Sequence, residues 1–254
     1  MKKLLPLLAL LLLMGQDCEP PEPEPSYCSG SEGTLNYIGG GFSTIIGGEL
    51  STDRRAAVKV TFGSSYCSGT VIGRRTVLTA GHCGYGDATV HTVHVTGYTP
   101  FVEVGHLVHP DYWKWVNGND FDARKSDLML IYTAKDLPDP VVSTIYNQSS
   151  TADCNMLWAQ GYGKDEFPET GAQLRESKYL VKTEYEKHLV TKQATWGGAC
   201  FGDSGSCLYA EMDDGSLQCA GVLSTTASQD CLVSASYVKL DYFKDWIATN
   251  TDPT

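Results

Sequence analysis

Val77-Leu78-Thr79-Ala80-Gly81-His82-Cys83 is a β-prone run that stops on a tight turn of small residues and delivers an imidazole at its end. A strand ending on Ala80-Gly81 would hold His82 at a sheet edge, where a side chain whose charge changes near neutrality can serve as a base. Cys67 lies 16 residues before Cys83 (83 − 67). A bridge at that spacing would close a strand–turn–strand loop and fix His82. Taken alone, the segment reads equally well as an incidental surface histidine beside a structural disulfide.

Two other stretches change that balance. Gly202-Asp203-Ser204-Gly205 sets a serine between glycines, which permits a backbone that exposes the hydroxyl and aims successive N–H groups at one point. By itself it reads as any turn would. Ser126-Asp127-Leu128-Met129-Leu130 places a carboxylate at the entry to an apolar strand, where burial is expensive unless something hydrogen-bonds it. An imidazole N–H would do so. Together the three supply a nucleophile (Ser204), a base (His82) and an orienting carboxylate (Asp127), with the N–H groups of Gly202 and Ser204 as an oxyanion hole.

The rest of the chain reads as all-β and turn-rich. Short β-prone runs are expected at Ala57–Phe62, Thr70–Ile72, Val77–Thr79, Val90–Val95, Val102–Val108, Asp127–Tyr132, Met156–Gln160, Gln173–Val181, Ser206–Ala210, Ala220–Ser224 and Ser236–Leu240. Gly, Pro, Asn and Asp punctuate them as in barrels or sandwiches. One helix is expected, Asp241–Asn250, with Tyr242, Trp246 and Ile247 on one face. No fixed-period repeat is present, which removes solenoids and propellers. His91 and His94 are expected on opposite strand faces as solvated or capping residues. His106, His109 and His188 are given no role.

The strings T-A-G-H-C, S-D-L-M-L and G-D-S-G, in the order His, Asp, Ser, resemble the trypsin- and chymotrypsin-like serine proteases. The resemblance runs from Ile45 to about Asn250. Ile45-Ile46-Gly47-Gly48 is similar to the family's mature N-terminus, Val108-His109-Pro110-Asp111-Tyr112 to the strand before its aspartate, and Gly161-Tyr162-Gly163 to a Gly-Trp-Gly landmark. The resemblance implies two packed six-stranded antiparallel Greek-key barrels with a C-terminal helix, an endopeptidase acting on proteins or peptides, and no cofactor. It also implies an activation pair, Ile45 with Asp203. Two other classes are weighed against it: a protease-like binding module without catalysis, and an esterase. Gly202 to Ser206 does match G-x-S-x-G, but the hydrolase elbow goes with the chain order Ser, Asp, His.

The same resemblance assigns the specificity pocket. Gly198 falls at its base, where trypsin-like members carry aspartate. Ser224-Thr225-Thr226 falls on the strand that pairs with substrate, with Ser224 hydrogen-bonded to Asp127 and Thr226 narrowing the mouth. Ala235 is the candidate far wall. An uncharged, partly filled pocket suits small or medium apolar side chains and not arginine or lysine. Of nine cysteines, Cys200 and Cys231 are expected to bridge as in the family, and Cys207–Cys219 across two strands. Connectivity is not fixed by sequence, and Cys154–Cys207 stays open, as does the pairing of Cys28 and Cys154. Zinc is not expected, since no C-x-x-C pair occurs.

Composition bounds the setting. With 30 acidic against 19 basic residues the net charge is −11, against nucleic-acid binding, which needs basic patches. Residues 1–15 read as an export signal, with Lys2 and Lys3 before the apolar Leu4–Leu13, and no later stretch is long enough to span a bilayer. Residues 16–44 alternate proline with glutamate and then become Gly/Ser-rich, a tether and propeptide. The peptidase domain is read as 45–254. Cys18 stands where a bacterial lipoprotein carries its lipid, although Asp17 before it is a poor match. Lipid anchoring and plain secretion both stay open.

Overall fold

A computed structural model describes residues 49–51, 56–84, 90–118, 123–138, 144–145, 157–163, 173–193, 198–211, 217–226, 231 and 234–252. The expected export signal and tether, Cys18, Cys28, Ile45 and Cys154 lie outside the described residues.

After a two-residue strand β1 (Glu49–Leu50), six strands form the first barrel: β2 (Ala57–Phe62), β3 (Ser65–Val71), β4 (Thr76–Thr79), β5 (Thr92–His94), β6 (Phe101–Val108) and β7 (Met129–Thr133). They close in the order β2-β3-β4-β7-β6-β5. All of β4 is buried, whereas β2 alternates, with Val58 and Val60 inside and Lys59 and Thr61 further out. Those period-two and continuous apolar patterns are why the segments were legible as strands. Helix α1 (Pro110–Gly118) separates β6 from β7.

A second two-residue strand, β8 (Thr144–Ile145), leads to β9 (Leu157–Gly161), β10 (Arg175–Glu184), β11 (His188–Gln193), β12 (Cys207–Glu211), β13 (Leu217–Thr226) and β14 (Ser234–Lys239). Their antiparallel pairings run β10-β11-β14-β13-β12-β9, and β9 also pairs with β10, so the sheet curls back on itself. Each half repeats one strand order, which is the expected double-barrel, all-β fold. β1 adds to β10, and β8 adds to β13 in parallel. One apolar core fills the first barrel and continues under the C-terminal helix; a second, built on Leu157, Tyr179, Leu189, Leu208 and Tyr237, fills the other.

The structure corrects several details. Helix α2 (Leu240–Asn250) buries Leu240, Phe243 and Ile247, an i, i+3, i+7 stripe, while Tyr242 is 46% exposed. Trp246 packs only partly, beside His109. The stretch from Pro110 is helix and not strand. Pro110 opens it, where its missing N–H is no loss, and Asp111 favours the first turn. Asp127 precedes β7 instead of lying within it. Strand β11, His-Leu-Val-Thr-Lys-Gln, was not among the expected runs.

Candidate active site

The three motifs meet where the two barrels face each other. The turn Gly81–Gly84 follows β4, a loop ending at Asp127 leads into β7, and Ser204 stands on the turn before β12. The Cys67–Cys83 disulfide ties the histidine turn to β3. Asp127 is 3% exposed, and three donors converge on its carboxylate. The His82 backbone N–H donates to Oδ1 at 2.7 Å, His82 Nδ1–H donates to Oδ2 at 2.7 Å, and the Ser224 hydroxyl donates to Oδ2 at 2.6 Å. A carboxylate can only accept, so the proton of the neutral imidazole sits on Nδ1 and the lone pair on Nε2.

Ser204 comes from the other barrel. Its carbonyl accepts the Ser68 N–H at 2.8 Å and lies 3.9 Å from Cys83 Sγ, beside the histidine turn. Gly202 has φ +95°, a conformation that L side chains rarely adopt, and a Cβ there would lie 2.3 Å from the Tyr66 ring. At Gly205, φ +83°, a Cβ would lie 2.0 Å from Thr79 Oγ1. The glycines are therefore demanded by packing and by the backbone. Among the described residues, no hydrogen bond takes the N–H of Gly202 or Ser204.

Asp203 is 1% exposed and accepts from the N–H groups of Gly163, at 2.7 Å, and Cys200, at 2.9 Å. Burial pushes its carboxyl up to about 7, against those two hydrogen bonds. Its expected partner, Ile45, is outside the described residues. Among the pocket residues, Gly198 is buried, and Thr226 faces Ala235 as a cross-strand pair between β13 and β14. Thr225 pairs with Ser236 one step along. The structure contains Cys200–Cys231 and Cys207–Cys219 disulfides. The second of these overturns the Cys154–Cys207 alternative.

Among the remaining histidines, His91 departs from the sequence reading. His91 is not solvated but 2% exposed, with Nδ1 on Glu103 Oε2 at 2.5 Å and Nε2 on the Cys83 carbonyl at 3.1 Å. His106 reaches the other oxygen of Glu103 at 2.5 Å. His94 bonds Thr61, His109 accepts the Asp111 N–H, and His188 stacks on Tyr185. Ser68, which bonds into the nucleophile turn, was also missed. Its position directly after Cys67, and so at the head of the histidine-anchoring bridge, was the one available signal.

Comparison with known proteins agrees with this architecture. The trypsin family model matches residues 45–247. Achelase-1 of Lonomia achelous is 29% identical over 129 residues, 47% of this chain and 59% of its own length. "Trypsin, alkaline C" of Manduca sexta is 30% identical over 105 residues, 38% of this chain and 40% of its own. The matched regions thus span about two fifths to three fifths of these relatives. The double barrel and a family match over most of the chain give one conclusion: the protein belongs to the trypsin family.

Proposed function

We propose that the chain is an exported serine endopeptidase that cleaves peptide bonds through Ser204, His82 and Asp127. The observation that carries this reading is the threefold hydrogen bonding of the Asp127 carboxylate, which leaves the lone pair of His82 Nε2 to accept a proton. Ser204 Oγ attacks the substrate carbonyl carbon while His82 Nε2 takes the hydroxyl proton. Asp127 holds the ring and stabilises the imidazolium without taking the proton. The tetrahedral oxyanion is held by the N–H groups of Gly202 and Ser204. His82 then protonates the departing amine, leaving an acyl-enzyme, and activates the water that hydrolyses it. These steps are those of the family.

The pocket of Gly198, Thr226 and Ala235 carries no charge and suits cleavage after Ala, Val, Thr, Leu or similar residues. The three disulfides among the described residues accord with an oxidising compartment, reached through removal of residues 1–15, with or without lipid on Cys18. No helix among the described residues is long and apolar enough to cross a membrane.

The test is labelling with a fluorophosphonate probe. The wild type is expected to take up one equivalent and to hydrolyse a peptide substrate, and Ser204→Ala to do neither. Labelling that persists in Ser204→Ala at the wild-type rate would remove the serine from its assigned role.

A further inference from the structure

Ser68 is wholly buried in β3, and every polar atom it owns is engaged. Its N–H donates to the Ser204 carbonyl at 2.8 Å. Its hydroxyl donates to the Gly202 carbonyl at 2.9 Å and accepts the Tyr162 N–H at 2.9 Å. Its own carbonyl accepts the Thr79 hydroxyl at 2.7 Å. Ser68 and Thr79 belong to the first barrel, and Ser68's partners Gly202, Ser204 and Tyr162 to the second. Nothing in the triad or the pocket uses this side chain.

We infer that Ser68 is a positioning residue that locks the oxyanion-hole turn, a role that rests on the peptidase reading above. The two proposed donors are the N–H groups of Gly202 and Ser204, which belong to the peptide units 201–202 and 203–204. The Gly202 carbonyl belongs to the unit between them, and the Ser204 carbonyl to the unit after them. Ser68 therefore grips the turn in the middle of the donor pair with its hydroxyl, and just past it with its backbone. The grip matters because Gly202, at φ +95°, has no side chain to restrict its rotation. Fixing its carbonyl fixes that rotation. The hydroxyl is itself held by the Tyr162 N–H, and the next N–H, that of Gly163, holds Asp203. One hydroxyl thus links the turn to the strand end that anchors the aspartate beside the nucleophile.

Losing an oxyanion donor outright lowers the rate by about 10²–10³. Loosening the turn while keeping both donors is smaller. Ser68→Ala is expected to lower kcat per probe-titrated site about tenfold, with KM within about twofold, because the donors act mainly on the transition state. A peptide aldehyde, whose adduct with the serine carries the oxyanion, is expected to bind about tenfold more weakly to Ser68→Ala. A role in folding alone would reduce the number of titratable sites and leave both values per site unchanged. Ser68→Gly removes the whole side chain while keeping the backbone bond to Ser204, and serves where the alanine variant does not fold.

Hydrogen exchange of the segment 200–206, measured in a Ser204→Ala background, reads the same clamp without catalysis. It is expected to quicken about tenfold when Ser68 loses its hydroxyl. A wild type that neither turns over peptide nor takes the fluorophosphonate overturns the activity reading, and the exchange comparison still decides the clamp. Unchanged kcat and aldehyde affinity per site in an active protein, or unchanged exchange in 200–206, would overturn the positioning role.

Discussion

His91 Nε2 donates to the Cys83 carbonyl at 3.1 Å, binding a buried imidazole to the residue next to His82. Its other nitrogen faces the Glu103 carboxylate, which also accepts the His91 backbone N–H and His106 Nδ1–H. A carbonyl and a carboxylate only accept, so both nitrogens of His91 carry protons and the ring is cationic. Its own burial opposes that charge, but the hydrogen bonds to Glu103 and Cys83 outweigh it and raise the His91 pKa. Burial likewise opposes the Glu103 charge, and the bonds from His91 and His106 override it, holding the carboxyl at about 2.

A pH window for stability follows. Glu103, depressed, contributes above its unfolded value of 4.5 and loses that contribution as pH falls toward about 2. His91, raised, contributes below 6.5 and loses it as pH rises through its folded value. In a Ser204→Ala parent, which does not digest itself, the stability lost on Glu103→Gln is therefore expected to be greatest between about pH 4.5 and 6.5. It shrinks on the alkaline side. Thermal unfolding of parent and variant from pH 4 to 9 measures the difference, and a loss that grows toward pH 9 would refute the pairing.

The parts legible in the sequence are those specified locally. His82, Asp127 and Ser204 announce themselves because each sits in a short motif whose neighbours do a job: a small-residue turn, an apolar strand, flanking glycines. Strand β2 shows in its alternation. The Ser68–Gly202 bond spans 134 residues and the His91–Glu103 pair depends on two strands closing a barrel; no local pattern marks either. Helix α1 begins at Pro110, two residues after Val108 ends β6, and so short a junction leaves no loop signal between strand and helix. In β11 only Leu189 and Val190 are apolar, too short a pattern to mark a strand; its place is set by pairing with β10 and β14, which buries Leu189 in the second core.

The Cys207–Cys219 bridge joins β12 to β13 at a sequence separation of 12 residues. Closing a loop of that length contributes about 2–4 kcal/mol, mainly by restricting the unfolded chain. Cys207→Ala combined with Cys219→Ala is expected to lower the unfolding free energy by about that amount in urea titration. Each single variant leaves a buried thiol and is expected to be at least as unstable. A double variant as stable as the parent would show that the bridge constrains nothing.

Thr226 and Ala235 are cross-strand partners on β13 and β14, the relation expected of two residues that line the proposed pocket. Removing the threonine side chain with Thr226→Gly is expected to raise kcat/KM for Phe over Ala at the cleaved position by about tenfold or more, the scale on which pocket volume discriminates. Gly198→Asp places a carboxylate at the base and is expected to admit Arg and Lys. A peptide library measures both. A wild-type profile dominated by arginine would contradict the assignment of Gly198.

The last prediction joins Asp203 to the expected N-terminus. Asp203 is buried and titrates at about 7, with burial as the dominant cause. An acid with a raised folded pKa binds its proton more tightly when folded, so stability falls as pH rises from 3.8 to about 7. In a chain still carrying Thr44 ahead of Ile45, that fall is expected in full, and Asp203→Asn is expected to abolish it. A cut between Thr44 and Ile45 would free an α-amino group. Paired with Asp203, that cation would stabilise the carboxylate and draw its pKa down, so the processed protein is expected to keep its stability across the same range. Thr44 is a small, uncharged residue of the type the pocket admits, so active enzyme is expected to make this cut itself. Wild type should then begin at Ile45, while purified Ser204→Ala retains the Thr44–Ile45 bond and the pH-dependent loss. Sequencing both N-termini and unfolding both proteins at pH 4 and pH 7 tests the chain of cause. An inactive variant that also begins at Ile45 assigns the cut to another protease. Active wild type that retains Thr44 removes Ile45 from the switch.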